Sequence, residues 1–180
     1  ALKALIALFY GSFGSLSSIS ETLTAATPLI FAALGIAVGF RAGLFNIGAE
    51  GQIILGGMAA VIIGFSFQLP FFIHLILILL VGAVFGALYA FISGWLKAIT
   101  GAHEVITTIM LNLIAYRLLD FFLRIPSVQK EGRNDPISKS ILDTAELPRI
   151  LYFLDPNLRV HMGFLIVIFA VLSCVPSVMV

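Results

Sequence analysis

Seven polar side chains lie within or beside the long apolar segments of this chain, where polar groups are unexpected. They are Asn46, Glu50, Gln52, Glu104, Thr107, Thr108 and Asn112. Lipid cannot form hydrogen bonds with a non-helical backbone, an amide or a carboxylate. Such groups therefore lie in the water of the headgroup region, in packed protein or along a water-filled cavity. We expect these residues to line the path of a polar solute.

Two short stretches carry the polar residues. The first is the glycine-rich run Gly43-Leu-Phe-Asn-Ile-Gly-Ala-Glu-Gly-Gln52, which separates two apolar segments that are each long enough to cross a bilayer. The second runs from Thr100 to Asn112 and opens a helix. A helix turns by about 100° per residue, so the polar positions from Glu104 to Asn112 share one face of that helix.

Several of these residues also have a purely structural interpretation. Asn46 next to Gly48 suits a turn or a cap. Glu50 suits an ion pair with Arg41 as well as contact with solute hydroxyls. Glu104 is favourable at a helix N-terminus, where an exposed carboxylate contributes about 0.3–1 kcal/mol.

The remaining polar side chains leave similar alternatives open. Thr107 and Thr108 are able to bond back to carbonyls of their own helix. Gln52 suits a hydrogen bond that cross-links two helices. Asn112 lies two turns inside an apolar helix, where its amide needs a partner. It is expected to form a hydrogen bond between helices or to face the path.

The composition of the chain is that of an integral membrane protein. Of its 180 residues, 61% are hydrophobic and 11% are charged, and the mean hydropathy is +1.14. Soluble domains are usually about 45–50% apolar and about 25% charged. The net charge of +1 predicts no nucleic-acid partner. The single cysteine, Cys174, cannot form an internal disulfide, and no metal site or cofactor is expected.

The apolar segments predict an all-α, polytopic transmembrane helix bundle. We expect a single membrane domain over 1–180, cut from a longer chain at both ends, with an outer loop over 125–160. Residues 1–10 are interpreted as the tail of an earlier helix, 11–20 as a loop or a short interfacial piece, and 141–147 as a short amphipathic helix. The predicted spans are about 21–40, 50–67, 71–96, 104–123 and 161–180.

Small residues recur four positions apart on successive helices, which predicts close helix packing. The predicted packing residues are Gly35, Gly39, Gly56, Ala60, Gly64, Gly82, Gly86, Ala90 and Gly94. His74 and His161 flank spans and are interpreted as residues of the membrane interface.

The bias of Lys and Arg in short loops predicts the orientation. Arg41 and Lys97 flank the two polar stretches, which places 41–52 and 97–104 towards the cytoplasm. The turn 68–70 and the loop 125–160 then face outward.

Longer motifs in the chain resemble those of a known family. Two motifs resemble those of permease subunits of bacterial binding-protein-dependent ABC importers. The first is Gly35-Ile-Ala-Val-Gly-Phe-Arg-Ala42 followed by 43–52. The second is Trp95-Leu-Lys-Ala98 followed by His103-Glu-Val-Ile-Thr-Thr-Ile-Met-Leu-Asn112. The branch is that for simple sugars and nucleosides, which is related to branched-chain amino acid permeases. His103 departs from the small polar residue expected there. The loop that docks on the ATPase is expected beyond Val180.

This resemblance implies a multi-pass protein of the bacterial cytoplasmic (inner) membrane. Its implied partners are ATP-binding ABC subunits, a second permease subunit, an extracytoplasmic substrate-binding protein and the lipid bilayer. The chain contains no G-x-x-x-x-G-K-[ST] phosphate loop, so ATP hydrolysis is expected on a partner, and the chain itself is not expected to be an enzyme.

The expected function is import of a small polar solute, a nucleoside or a simple sugar. One alternative is an ion-coupled secondary transporter, which is also built on broken helices. Another is a branched-chain amino acid ABC permease. A membrane scaffold is disfavoured because a scaffold gains nothing from costly polar residues in its spans.

Overall fold

The computed structural model describes residues 2–179, and the side chains of residues 2–174. Over this range the chain forms helices joined by short breaks and one long loop, with no β-strand among the described residues. The helices are α1 (Leu2–Phe13), α2 (Leu16–Arg41), α3 (Ala49–Ser66), α4 (Phe71–Thr100), α5 (Glu104–Leu123) and α6 (Met162–Met179). The all-α prediction is confirmed.

Four of the described helices, α2 to α5, are long and apolar enough to cross a membrane by length and composition. Three of them lie close to the predicted spans 50–67, 71–96 and 104–123, and α2 extends the predicted 21–40 at both ends. The predicted span 161–180 overlaps α6, but its final residue and the side chains after Cys174 lie outside the described residues. A fifth span and a single domain over 1–180 stay predictions.

The prediction of a loop over 11–20 is wrong. α1 continues to Phe13 and α2 already begins at Leu16, so only a short bend separates the two helices. The Ser15 hydroxyl explains the early start, because it accepts the Ser18 backbone N–H at 3.0 Å and so satisfies a donor of the first turn of α2. Serine favours both loops and helix caps, and here it acts as a cap.

The predicted amphipathic helix over 141–147 is also wrong, because only one 3-10 turn forms there, at Asp143–Ala145. Its neighbour Leu142 donates its backbone N–H to the Gly64 carbonyl at 3.0 Å. A Cβ at Gly64 would approach Ile141 Cγ2 to 2.9 Å. The segment therefore meets α3 through this backbone hydrogen bond and the Ile141 side chain, and its 3-10 turn packs against α4.

The chain divides into two compact units, one of residues up to Val38 with those from Leu147 onward, and one of Gly39–Glu146. Within the second unit, α3 packs most extensively against α4 and then against α5. Its core consists of buried Leu55, Tyr89, Leu111 and Ala115.

Glycines bring the backbones of α3 and α4 together. A Cβ at Gly56 would lie 2.6 Å from the Gly82 carbonyl oxygen, and a Cβ at Gly86 would lie 3.3 Å from the Gln52 carbonyl oxygen. Ala60 places its own Cβ 3.5 Å from the position of a Cβ at Gly82. This is the close approach that small residues permit.

The other predicted packing residues lie in different surroundings. A Cβ at Gly39 would be in ordinary contact with the Leu44 carbonyl oxygen, 3.4 Å away, whereas a Cβ at Gly35 or Gly94 would meet no described atom within 4 Å. Ala90 is partly buried and accepts a hydrogen bond from Ser93 through its carbonyl at 2.9 Å. A packing role for Gly35 and Gly94 stays a prediction.

The interpretation of His74 as a membrane-interface residue is wrong, because its side chain is fully buried. Its Nδ1 lies 2.8 Å from the Thr144 hydroxyl and its Nε2 lies 3.3 Å from the Ile63 carbonyl oxygen. The imidazole therefore joins the start of α4 to the end of α3 and to the 3-10 turn. Its polarity serves a hydrogen-bond network inside the protein.

Candidate functional site

The break between α2 and α3 is shorter than the sequence predicts. Only residues 42–48 are non-helical. Glu50 and Gln52, which the sequence places in the break, lie in the first turn of α3. An acidic residue in a first helical turn is electrostatically favourable, which explains the early start of α3. Gly43 takes a left-handed conformation, with φ at +70°, and glycine adopts this conformation without strain.

The polar face of α5 lies against this break. Thr108 accepts the Ile47 backbone N–H at 3.3 Å and donates its own proton to the Glu104 carbonyl at 2.8 Å. Glu104 Oε1 lies 3.5 Å from the Phe45 backbone nitrogen. Side chains of α5 thus satisfy donors of a backbone segment that has no helix of its own.

Asn112 extends this contact by one more turn of α5. Its Oδ1 accepts the Gly51 backbone N–H at 2.9 Å, and its Nδ2 donates to the Ile47 carbonyl at 3.0 Å. A Cβ at Gly51 would lie 3.0 Å from that same Oδ1. The amide therefore bridges the break and the first turn of α3, and glycine leaves it room to do so.

Asn46 forms a local turn. Its Oδ1 accepts the Gly48 backbone N–H at 2.8 Å, which is the self-bonding typical of asparagine in turns. Gly48 is buried, and a Cβ there would lie 3.1 Å from Thr108 Cβ. The geometry matches the turn interpretation of Asn46 and fits the break closely onto α5.

An ion pair that the sequence analysis did not predict lies beside the break between α2 and α3. Lys97 Nζ lies 2.6 Å from Glu104 Oε1 and also donates to the Gly43 carbonyl at 3.3 Å. The two side chains are 33% and 20% exposed. Gly101 ends α4 in a left-handed conformation, so α5 turns back and brings Glu104 beside Lys97. The opposite charges of Lys97 and Glu104, on either side of Gly101 in the sequence, could have indicated this ion pair.

Glu50 and Tyr116 form a second polar pair. The Tyr116 hydroxyl donates a short hydrogen bond to Glu50 Oε1, and both residues are exposed. Glu50 belongs to α3 and Tyr116 to α5, two of the helices long enough to span a membrane. This exposed polar pair thus lies next to the Asn112–Gly51 contact, since Glu50 precedes Gly51 and Tyr116 follows Asn112 by one helical turn.

The other two predicted site residues do not join these contacts. Thr107 donates to the His103 carbonyl of its own helix at 3.2 Å. Gln52 is partly buried, and its main chain lies against α4 at Gly86. The alternative that Gln52 cross-links helices through its amide stays a prediction. Among the described residues, no group of three or more His, Cys, Asp or Glu side chains is placed to hold a metal ion.

Spanning helices, a backbone break and polar side chains that satisfy it together define a multi-pass integral membrane protein. Residues 18–177 match the family described as "Branched-chain amino acid transport system / permease component", and the chain belongs to that family. The resemblance to permease subunits is thereby confirmed. No solved structure matches the chain.

Curated relatives carry more specific names. The chain is 38% identical over 164 residues to the guanosine ABC transporter permease protein NupP of Bacillus subtilis, across 91% of this chain and 46% of that protein. It is 36% identical over 172 residues to the glucose ABC transporter permease protein TsgB13 of Haloferax volcanii, across 92% and 45%. It is 46% identical over 108 residues to the nucleoside ABC transporter permease protein NupB of Lactococcus lactis, across 59% and 30%. The chain thus spans less than half the length of these relatives.

Proposed function

We propose that the complete protein is the permease subunit of an ATP-driven importer that carries a nucleoside or a simple sugar across the cytoplasmic membrane. The observation that carries this proposal is the 38% identity to a guanosine permease over 91% of the chain. The glucose permease relative, at 36% identity, keeps simple sugars in the substrate class.

The proposed partners follow from the names of the relatives as ABC permeases. Two ATP-binding subunits drive the cycle from the cytoplasm, a second permease subunit completes the path, and an extracytoplasmic binding protein delivers the solute. In this proposal the permease holds the solute weakly, and the binding protein supplies much of the specificity.

For the solute path, the contacts support two roles among the seven polar residues. Glu104, Thr108 and Asn112 hold the break in shape, because each places a side-chain oxygen within reach of a backbone N–H of residues 45–51. Glu50 is the strongest candidate for contact with the solute. An exposed carboxylate on a spanning helix is unfavourable in lipid, which supports a position facing water in the path.

The decisive measurement of the function is uptake of labelled guanosine and labelled glucose into cells that express the complete transporter. We expect accumulation of one of them to stop when ATP is depleted and to persist when an ionophore collapses the ion gradients. Uptake that survives ATP depletion but stops with the ionophore would instead establish the ion-coupled alternative.

Labelled leucine addresses the substrate class in the same cells. The matched family is described by branched-chain amino acid transport, whereas the relatives above are named for nucleosides and glucose. We expect excess unlabelled leucine to leave uptake of the nucleoside or sugar unchanged. ATP-dependent accumulation of leucine, with none of guanosine or glucose, would assign the chain to amino acid import.

The role of Glu50 is tested by Glu50→Gln, which removes the charge and keeps an oxygen that accepts the Tyr116 hydroxyl. We expect uptake to fall by about tenfold, corresponding to about 1.4 kcal/mol, at an unchanged amount of protein in the membrane. Glu21→Gln is the control, because Glu21 is an exposed carboxylate on α2 that pairs with Arg159. Equal uptake by both variants at equal expression would remove Glu50 from the proposed path.

A further inference from the structure

The segment from Arg149 to His161, here called the aromatic loop, is closed at its base. Arg149 and His161 form an isolated antiparallel bridge. The Ile150 N–H donates to the Val160 carbonyl at 2.9 Å, and the Met162 N–H donates to the Pro148 carbonyl at 3.0 Å. The two ends of the loop therefore meet at the start of α6.

The returning limb of the aromatic loop is fixed to the beginning of α2. Buried Ser20 accepts the backbone N–H groups of Arg159 and Val160 through its hydroxyl, at 2.7 and 3.2 Å. Arg159 also pairs with Glu21 at 3.4 Å. The base of the loop thus lies at the level where the apolar parts of α2 and α6 begin.

The tip of the aromatic loop presents consecutive large apolar side chains to the outside. Tyr152, Phe153 and Leu154 are 60%, 79% and 67% exposed. Hydrogen bonds order the turn beneath them, since Leu151 accepts the Leu154 N–H at 3.0 Å through its carbonyl. Because these hydrogen bonds fix the backbone of the turn, the three side chains are held in their exposed positions.

We propose that this tip inserts into the interfacial layer of the membrane at the outer ends of α2 and α6. Aromatic and aliphatic side chains beside basic residues are typical of segments that lie at the boundary between headgroups and acyl chains. Exposed Arg149 and Arg159 flank the tip and are placed to meet lipid phosphates. The loop anchors the outer ends of these helices, whichever solute the protein transports.

The level of the tip favours lipid as its occupant over a soluble protein. Ser20 lies in the second turn of α2, where Glu21 and Thr22 still precede the continuous apolar run of that helix, so the loop base sits at the polar start of α2, the level expected for lipid headgroups. By contrast, half of the exposed residues within the other isolated bridge, Gln129–Ser138, are charged. Lys130, Glu131, Arg133 and Asp135 suit water, whereas the tip of the aromatic loop does not.

A spin label tests the proposal in the complete protein, reconstituted in vesicles of phosphatidylcholine and phosphatidylglycerol. Phe153→Cys is labelled after Cys174→Ala and removal of any other cysteine, and collision rates with oxygen and with a water-soluble nickel chelate are measured. We expect oxygen, which concentrates in lipid, to collide several-fold more often than nickel, at a depth near the headgroups. Leu154→Cys is a second site in case the Phe153 variant does not fold.

Asn157→Cys and Glu131→Cys are the matched controls, because both positions are exposed but polar and are expected to favour nickel. A label at 153 that favours nickel as strongly as these controls would place the tip in water and overturn the proposal. A label that meets neither reagent, with an immobilised spectrum, would place it against a protein partner and overturn the proposal equally.

Discussion

Thr108 and Asn112 each connect α5 to a stretch of backbone that has no secondary structure of its own. Thr108 is 2% exposed and its hydroxyl is both acceptor and donor. Asn112 uses both ends of its amide on Ile47 and Gly51. A buried backbone N–H without a partner costs about 1–3 kcal/mol, so these side chains are required wherever the break is kept from water.

The Thr108 hydroxyl is the sharpest test of this role. Thr108→Val keeps the shape of the side chain but leaves the Ile47 N–H without its acceptor, and we expect a loss of about 1–3 kcal/mol in stability. In detergent this lowers the thermal midpoint of the purified protein by several degrees.

Thr107→Val is the matched control, because the Thr107 hydroxyl bonds only the His103 carbonyl of its own helix. We expect its midpoint to stay close to that of the parent protein. Equal midpoints for the Thr107 and Thr108 variants would mean that Thr108 does not support the break, and would return it to the candidates for direct contact with the solute.

At the scale of the helices, α3 and α4 approach through glycine. The Gly56–Gly82 contact leaves no room for a methyl group, whereas a methyl carbon added at Gly57, the next residue of α3, would have no described atom within 4 Å. Inside a bilayer, apolar side chains gain little from meeting each other, so close backbone packing is what holds such a pair together.

Gly56→Ala is therefore expected to separate α3 from α4. Its Cβ would meet a main-chain oxygen at 2.6 Å, and the shift this forces typically costs about 1–3 kcal/mol. Gly57→Ala is the control and is expected to be neutral or to stabilise the helix by up to about 1 kcal/mol. Thermal midpoints in detergent compare the two, and a Gly56 variant as stable as the Gly57 variant would refute the packing role.

At the scale of the whole molecule, the second unit has two polar ends. One end holds the break and the Lys97–Glu104 ion pair, and the other holds His74 with Thr144. His74 and Lys97 are 23 residues apart on α4, about 35 Å at 1.5 Å per residue. The predicted orientation, in which 41–52 and 97–104 face the cytoplasm and the long loop faces outward, stays a prediction.

The orientation is tested by cysteine labelling in the Cys174→Ala background, with any other cysteine of the complete protein removed. We expect a membrane-impermeant maleimide added outside to label Glu131→Cys in the long loop but not Ala102→Cys in the α4–α5 break. After the membrane is opened, both positions should react. Labelling of Ala102→Cys from outside in sealed cells would invert the orientation.

The sequence by itself determined the all-α architecture, the long apolar helices and the seven polar residues that need an explanation. Apolar runs of bilayer length allow helices almost alone, and a polar side chain within them is conspicuous. The family could also be identified from the sequence, because its motifs are continuous runs such as 43–52 and 103–112. Helix ends were less readable, as Ser15 shows, since serine favours both caps and loops.

Only the tertiary structure decided what each polar residue contacts. The spacing along α5 placed Glu104, Thr108 and Asn112 on one face but did not say that this face covers the break. The buried position of His74 and the pairing of Glu50 with Tyr116 were equally invisible. These contacts join residues far apart in the chain, and those between α5 and the break depend on the close approach that Gly48 and Gly51 permit.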